Sequence, residues 1–246
     1  MKIDYDKYAP NYELTRTVEP LVYAILCNIL EFSKDDLVLD FGCGTGNYLN
    51  KIVKDHQIQP YGLEPSKEMR IFAQKKIKPA YILAGDHTRI PFSDSFFNKI
   101  YCIDVVHHIR ELDLFFSNIF RVAATSAKFC ICTESGEQLK EKYWNKYFPK
   151  MLALDLDRFH SIDELISKGE IAGWSYCEMI KTEQEMKSPI SYAFWNRVKA
   201  KSLSVLQLLT EDEYQFGMSL MKKDFEERSI IPQIEGYTFL LFEKRK

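Results

Sequence analysis

An excess of charge of one sign is missing from this sequence. Its 33 Lys plus Arg face 35 Asp plus Glu, a net charge of −2. That balance argues against a protein whose affinity comes from neutralising many phosphates, so no nucleic-acid partner is expected. No apolar run approaches the ~20 residues that span a bilayer, and no membrane partner is expected either. The six cysteines (Cys27, Cys43, Cys102, Cys130, Cys132, Cys177) show neither zinc-ligand spacing nor a CxxC pair. Most sit in apolar runs and read as small core residues of a reducing compartment. The polar, aromatic start MKIDYDKYAP is unlike a signal peptide. The expected location is therefore the cytoplasm, with no metal site. Internal repeats, low-complexity stretches and obvious linkers are lacking too. What remains is ordinary globular material, 46% hydrophobic and 28% charged over 246 residues. A chain of this length buries close to about three quarters of its unfolded surface without disulfide or metal staples.

The first half alternates strand and helix patterns. Residues 36–41 (DLVLDF) form a short apolar run ending at glycines, the mark of a buried strand. A helix over 45–53 follows, then a strand at 59–63, a helix capped by Ser66, and strands at 80–84 and 99–104. Leu112, Phe115, Phe116, Ile119 and Phe120 recur at helical spacing over 111–123. A fifth strand is expected at 128–133. Strands separated by such helices make right-handed parallel βαβ units, so the fold class is α/β, a doubly wound sheet with helices on both faces.

The second half differs. Residues 137–148 (EQLKEKYWNKYF) look like an aromatic-rich helix. Ser161 with Glu164, and Thr210 with Glu213, form capping boxes. Strands are expected at 175–182 and 237–244, which brings the sheet to seven, and 188–228 reads as mostly helical. We therefore expect one domain over 1–246. Residues 1–30 would be an N-terminal arm and helix, and 134–160 and 186–230 helical insertions forming a lid on the acceptor side; an oligomer interface is the other reading of such insertions.

The most informative stretch is Leu39-Asp40-Phe41-Gly42-Cys43-Gly44-Thr45-Gly46. A strand runs into a glycine-rich turn and then a helix. Glycines permit positive φ and close backbone approach, and a helix start offers N–H groups. A tight strand-to-helix turn needs the same residues, so the loop alone is a weak signal. The acids around it sharpen it. The spacing is G-x-G-x-G, not the dinucleotide G-x-G-x-x-G. Asp40, at the end of its strand, suits a cationic or amine-bearing ligand and would repel a pyrophosphate. Glu64 ends the second strand, about 20 residues past the glycines, where an acid bonds ribose hydroxyls. Asp86 follows the third strand and is placed to accept from an adenine amino group. Asp104 ends the fourth. Any one acid is as readily a helix cap; four at strand carboxyl ends mark the ligand edge of an open α/β sheet.

These stretches resemble the class I S-adenosylmethionine-dependent methyltransferases of the small-molecule type, sometimes called methyltransferase type 11 or 25. The resemblance rests on VLDFGCGTGNYL (38–49), GLEPSKEM (62–69), AGDHTRIPFSDSFFNKIYCIDVVHHI (84–109) and FRVAATSAKFCICTE (120–134), with YDKYAPNY (5–12) similar to the aromatic arm that precedes this domain in many members. Beyond residue 136 the likeness is architectural. It implies a mostly parallel seven-stranded, Rossmann-like methyltransferase fold with helical insertions in its second half, and S-adenosyl-L-methionine as cofactor. By resemblance, Asp40 with Gly42, Cys43, Gly44 and Gly46 holds the methionine part. Glu64, followed by Pro65, takes the ribose diol. Gly85, Asp86 and His87 surround the adenine, and Asp104 and Val105 lie near the sulfonium. Tyr5, Tyr8 and Tyr12 cover the cofactor or acceptor, unless the arm is only a frayed terminus packed on the surface.

Methyl transfer needs an acceptor brought into line, water excluded and, for a hydroxyl, a proton removed. His107 and His108, just past the fourth strand, are the candidate bases; a pocket wall and a packing histidine are the alternative. His87 and His160 are given no acid–base role. Tyr143, Trp144, Tyr147, Phe148, Tyr192, Phe194 and Trp195 would line an apolar acceptor pocket or pack as core. The expected activity is methyl transfer to the oxygen or nitrogen of a small molecule, by a monomer or homodimer. Rival uses of the fold are aminopropyl transfer, a macromolecular methyltransferase, or a non-catalytic cofactor-binding partner subunit. Dinucleotide oxidoreduction is disfavoured by the loop spacing.

Overall fold

A computed structural model describes residues 3–79 and 81–245. Ala80, the first residue of the strand expected at 80–84, lies outside the described residues, as do Met1, Lys2 and Lys246. Chain packing divides the molecule into two compact units.

One unit comprises Thr17–Thr133, His160–Ile180 and Thr238–Lys246. Its strands are β1 (Leu37–Phe41), β2 (Gln59–Leu63), β3 (Tyr81–Leu83), β4 (Phe97–Ile103), β5 (Ala123–Thr133), β6 (Ser175–Lys181) and β9 (Thr238–Glu243). They form a seven-stranded sheet in the order β3-β2-β1-β4-β5-β9-β6. The first five pair in parallel, and β9 runs antiparallel to β5 with Ile131 opposite Leu240. This is the seven-stranded, mostly parallel, doubly wound sheet anticipated above. Strand order reverses at β1, which has β2 on one side and β4 on the other. Ligands of open α/β sheets bind outside the strand carboxyl ends at such a reversal.

The helices follow from local chemistry. Pro20 opens α2 (Pro20–Leu30), where its missing N–H costs nothing. The glycine loop leads into α3 (Asn47–His56), and Ser66 caps α4 (Lys67–Lys76) by accepting from the Met69 N–H at 3.2 Å. In α5 (Leu112–Val122) the buried residues Leu112, Phe115, Phe116, Ile119 and Val122 make one apolar face. Phe116 packs edge-on to Phe129 of β5 and Phe242 of β9. Each such ring contributes about 1.5–3 kcal/mol by burial, and truncating Phe116 to alanine would cost about 3–5 kcal/mol. Helix α8 (Ile162–Ile171) starts at Ser161, whose Oγ accepts from the Glu164 N–H at 3.1 Å. Only half of the expected box is built there, because the Glu164 carboxylate turns to His160 Nδ1 at 3.4 Å.

The other unit comprises Met1–Arg16, Glu134–Phe159 and Lys181–Tyr237. Its helices are α1 (Tyr5–Thr15), α6 (Gly136–Lys140), α7 (Pro149–Arg158), α9 (Tyr192–Lys199) and α10 (Glu211–Glu226). It has its own core, with Tyr147, Phe148, Met151, Ile190, Val198, Leu206 and Met221 at the centre. Two expectations fail here. The single helix over 137–148 is replaced by α6, a 3-10 turn over Tyr143–Lys146, and α7. The Asn145 amide caps the Leu139 carbonyl at 2.8 Å and ends α6, while Pro149 starts a new helix. Likewise, the span 186–230 is not wholly helical. Strand β7 (Gln184–Ser188) pairs antiparallel with β8 (Ile231–Glu235), so residues 186–188 are extended. Strand β7 is polar, and Pro232 weakens a strand reading of β8; a two-stranded ribbon tolerates it because each strand is an edge. The Thr210–Glu213 capping box is present in full at the start of α10.

Candidate functional site

The glycine loop leaves the carboxyl end of β1 with Gly42, Gly44 and Gly46 all at positive φ (76°, 52° and 77°). Gly42 is required twice over. Besides its left-handed backbone, a Cβ there would meet Val105 Cγ2 at 2.5 Å. The loop is clamped to the next strand. The N–H groups of Gly42 and Cys43 both donate to the Leu63 carbonyl, at 2.7 and 3.1 Å. Gly62 leaves room for the buried Cys43, whose Sγ would lie 2.8 Å from an added Cβ.

Glu64 sits at the end of β2, almost wholly buried. Its Oε2 accepts from the Gly44 N–H at 2.9 Å and its Oε1 from the Ser66 N–H at 2.8 Å. These bonds fix the carboxylate against the loop rather than leaving it in solvent. Arg70 of α4 completes the corner by donating to the carbonyls of Glu64 and Pro65 at 2.7 and 2.8 Å. Asp40 lies beside them, 4% exposed. Burial pushes its carboxyl up to about 7; the neighbouring Tyr101 hydroxyl works against the rise and the Glu64 charge adds to it. Tyr101 stands directly across from Asp40 in the β1–β4 register and is wholly buried.

The loop after β3 is equally built. Asp86 Oδ1 accepts from the Thr88 N–H at 2.8 Å and the Thr88 hydroxyl at 2.6 Å, an Asx turn that aims the carboxylate. Gly85 packs where a Cβ would meet the Arg89 carbonyl oxygen at 2.5 Å. Two side chains of the α5 region hold the loop from outside. Glu111 reaches His87 Nε2 at 2.9 Å, and the Asn118 amide donates to the His87 carbonyl at 2.8 Å. Past β4, Asp104 takes a left-handed φ of 56°, uncommon for a residue with a side chain and frequent at functional turns. Its N–H donates to the Cys132 carbonyl at 3.1 Å. A 3-10 turn then carries His107, buried, and His108, exposed, with ring centroids 4.1 Å apart.

The structure thus gathers Asp40, Gly42, Cys43, Gly44, Gly46, Glu64 and Pro65 at the switch point, with Gly85, Asp86 and His87 after β3 and Asp104, Val105, His107 and His108 after β4. Tyr5 and Tyr12 belong to the other unit. There Tyr5 is neighboured by Tyr12, Arg158, Ser204 and Arg16, and burial pushes its phenol up; Arg16 lies over the Tyr12 ring at 5.4 Å. Of the aromatics offered as an acceptor pocket, Tyr143, Tyr147, Phe148 and Phe194 are core residues of that unit. Gly217 confirms the tight fit, since a Cβ there would meet the Phe148 ring at 2.2 Å. Sequence reasoning missed Tyr101, Arg70, Glu111 and Asn118. Tyr101 gave no signal of its own, because its place opposite Asp40 comes from the β1–β4 register.

This is a Rossmann-like α/β unit with a glycine loop and buried acids at its switch point. Residues 39–131 match the family model of a methyltransferase domain. An uncharacterized methyltransferase of Anoxybacillus flavithermus is 32% identical over 89 residues, 36% of this chain and 42% of that protein. The 24-methylenesterol C-methyltransferase 3 of Arabidopsis thaliana is 24% identical over 185 residues, 70% of this chain and 50% of that protein. The chain thus spans about half or less of these relatives. Among solved structures, Haemonchus contortus phosphoethanolamine N-methyltransferase 2, in complex with phosphomonomethylethanolamine and S-adenosylhomocysteine, superposes with a TM-score of 0.63 at 16% identity, covering 98% of this chain and 58% of that one. Residues 39–131 are thus similar to a methyltransferase domain, set in a fold that the Haemonchus enzyme shares.

Proposed function

We propose that the protein transfers a methyl group from S-adenosyl-L-methionine to an oxygen or nitrogen of a small-molecule acceptor. The observation that carries this reading is the pair of buried acids, Asp40 and Glu64, flanking a loop of three left-handed glycines. Carboxyl groups at this spot suit a ligand with an ammonium group and ribose hydroxyls, and the left-handed glycines let the loop backbone lie close to it. The residues present therefore fit the cofactor.

When bound, the cofactor supplies a methyl group already activated by a sulfonium. The chain supplies position. Glu64, fixed by the Gly44 and Ser66 N–H groups, accepts from the ribose diol, and Asp86, with Gly85 and His87 around it, accepts from the adenine amino group. Asp40 faces the methionine ammonium, while Cys43, Pro65, Asp104 and Val105 shape the cleft. Such orientation is worth about 7–11 kcal/mol in an in-line displacement. His108, exposed on the turn past β4, removes the proton of a hydroxyl acceptor, and the buried His107 supports its ring.

The reading draws support from the bound S-adenosylhomocysteine and small amine of the Haemonchus structure. Its test is incubation of the protein with methyl-labelled S-adenosylmethionine and a metabolite extract, followed by mass spectrometry. A labelled small molecule is the expected product. Label confined to protein or nucleic acid, or none transferred, would overturn the small-molecule assignment.

A further inference from the structure

Asp104 is left unexplained by local structure. Glu64 accepts from two backbone N–H groups and Asp86 from Thr88. The Asp104 side chain is half-buried, and among the described residues no donor bonds to its oxygens and no cation pairs with them. It does not cap the 3-10 turn that follows, whose N-cap is Val105 without a side-chain bond. Its φ of 56° would be easier for glycine, so the turn itself does not call for a carboxyl. A half-buried carboxylate without a partner costs stability and marks a place for a donor on a ligand. The strand order β3-β2-β1-β4 sets Asp86, Glu64, the glycine loop and Asp104 in a row, about 4.8 Å per strand. With adenine and ribose at the first two, the reacting end of the cofactor falls toward the last. The Val105 methyls fill the space where a Gly42 Cβ would stand, which keeps Asp104 beside the loop. The His108 N–H donates to the Val105 carbonyl at 2.9 Å, so His108 closes the same turn. Tyr48, in the first turn of α3, accepts from the Glu19 N–H at 3.0 Å and has Asp104 within electrostatic reach. Its own hydroxyl hydrogen meets no protein acceptor among the described residues.

We propose that Asp104 selects a nitrogen acceptor: its carboxylate takes an N–H of an amine placed for methylation, and Tyr48 is the positioning residue that turns its hydroxyl hydrogen to that carboxylate. This rests on the cofactor reading above and narrows its acceptor to an amine. The amine arrives as an ammonium and gives one proton to His108, which passes it to water. The nitrogen lone pair forms the N–C bond as the methyl's C–S bond breaks, and the electron pair of that bond returns to sulfur, leaving a thioether. Positive charge moves from sulfur to nitrogen, where the Asp104 carboxylate stabilises it. A hydroxyl that loses its proton to His108 ends neutral and draws no such help, so the carboxylate favours nitrogen.

The probe is sinefungin, an analogue with carbon in place of the cofactor's sulfur and an ammonium in place of its methyl group. The test is calorimetric titration of the whole protein with sinefungin, S-adenosylmethionine and S-adenosylhomocysteine. Sinefungin is expected to bind about 10- to 100-fold tighter than S-adenosylhomocysteine, the worth of a charged hydrogen bond. Asp104→Asn, a side chain that tolerates the left-handed backbone, removes this preference. In that variant the other two ligands, which have no N–H at this position, keep their affinity to within about 3-fold. Tyr48→Phe lowers the preference about 3-fold and leaves S-adenosylhomocysteine binding unchanged. A preference unmoved in Tyr48→Phe would overturn its positioning role. Equal binding of sinefungin and S-adenosylhomocysteine, or a preference kept in Asp104→Asn, would overturn the amine assignment and leave the cofactor reading standing. A loss for S-adenosylmethionine matching that for sinefungin would do the same, by giving Asp104 to the sulfonium. In the labelled-extract assay, fragmentation should place the methyl on nitrogen; label on oxygen would overturn the assignment. Binding of none of the three ligands would overturn both readings.

Discussion

Replacing Asp40 by asparagine isolates the cost of burying an acid at the site. The folded chain raises this carboxyl to about 7, above the ordinary value of about 3.9. The folded state therefore holds a proton that the unfolded state has already released. Stability from this source is whole below the ordinary carboxyl range and is lost as pH rises toward and through about 7. The gap of about 3 units amounts to ~4 kcal/mol in full, and about 2.6 kcal/mol of it falls between pH 5 and pH 8. Asp40→Asn has no proton to lose, so it should be near parity with the natural chain only below the ordinary carboxyl range, about 1.5 kcal/mol the more stable at pH 5, and about 4 kcal/mol the more stable at pH 8. The assay is urea unfolding read by Trp174, which is buried in the same unit and donates to the Phe116 carbonyl. Changing Trp144 and Trp195 to phenylalanine in both proteins silences the other indoles. With a slope of about 2 kcal/mol per molar urea, the midpoint gap should widen by about 1 M between the two pH values. A gap constant to within about 0.3 M would refute the reasoning, and with it the upward shift of the Asp40 carboxyl.

Three further outcomes follow from the geometry. Gly42→Ala meets both a left-handed backbone and the Val105 methyls, so a loss of about 2–4 kcal/mol is expected in thermal unfolding; adding Val105→Ala should restore the steric share only, giving a non-additive cycle. Asn118→Ala removes the bond to the His87 carbonyl and should weaken S-adenosylmethionine binding about 3- to 10-fold with little loss of stability, read by calorimetry beside a melting curve. His108→Ala should lower turnover about 10²-fold or more while leaving cofactor affinity unchanged, whereas His107→Ala, at a buried position, should first lower the melting temperature; the reverse pattern in paired kinetic and melting assays would exchange their roles.

The parallel sheet was legible because its strands are short apolar runs ending in glycine or acid, and because α5 carries five core residues at helical spacing. The acids were legible for the same reason, since a strand's last residue is visible from sequence. What was not legible depends on distant contacts. Tyr101 gains its meaning from register, which only the folded sheet displays. Glu111 and Asn118 act on a loop about 24–31 residues upstream through single bonds that leave no period in the sequence. The helix expected over 137–148 failed because Asn145 and Pro149 act as terminators, stronger than the aromatic spacing that suggested continuity. The β7–β8 ribbon escaped notice because β7 is polar and exposed and Pro232 interrupts β8.

The central claim is that the acids at the switch point hold the cofactor, and Glu64 tests it most directly. Its two oxygens already accept from Gly44 and Ser66; Glu64→Gln keeps the shape and removes the charge. Equilibrium titration of S-adenosylmethionine should give one site per chain in the natural protein and an affinity about 10- to 100-fold weaker in Glu64→Gln, the worth of a charged hydrogen bond. Equal affinity in the two proteins, with both folded by circular dichroism, would contradict the account.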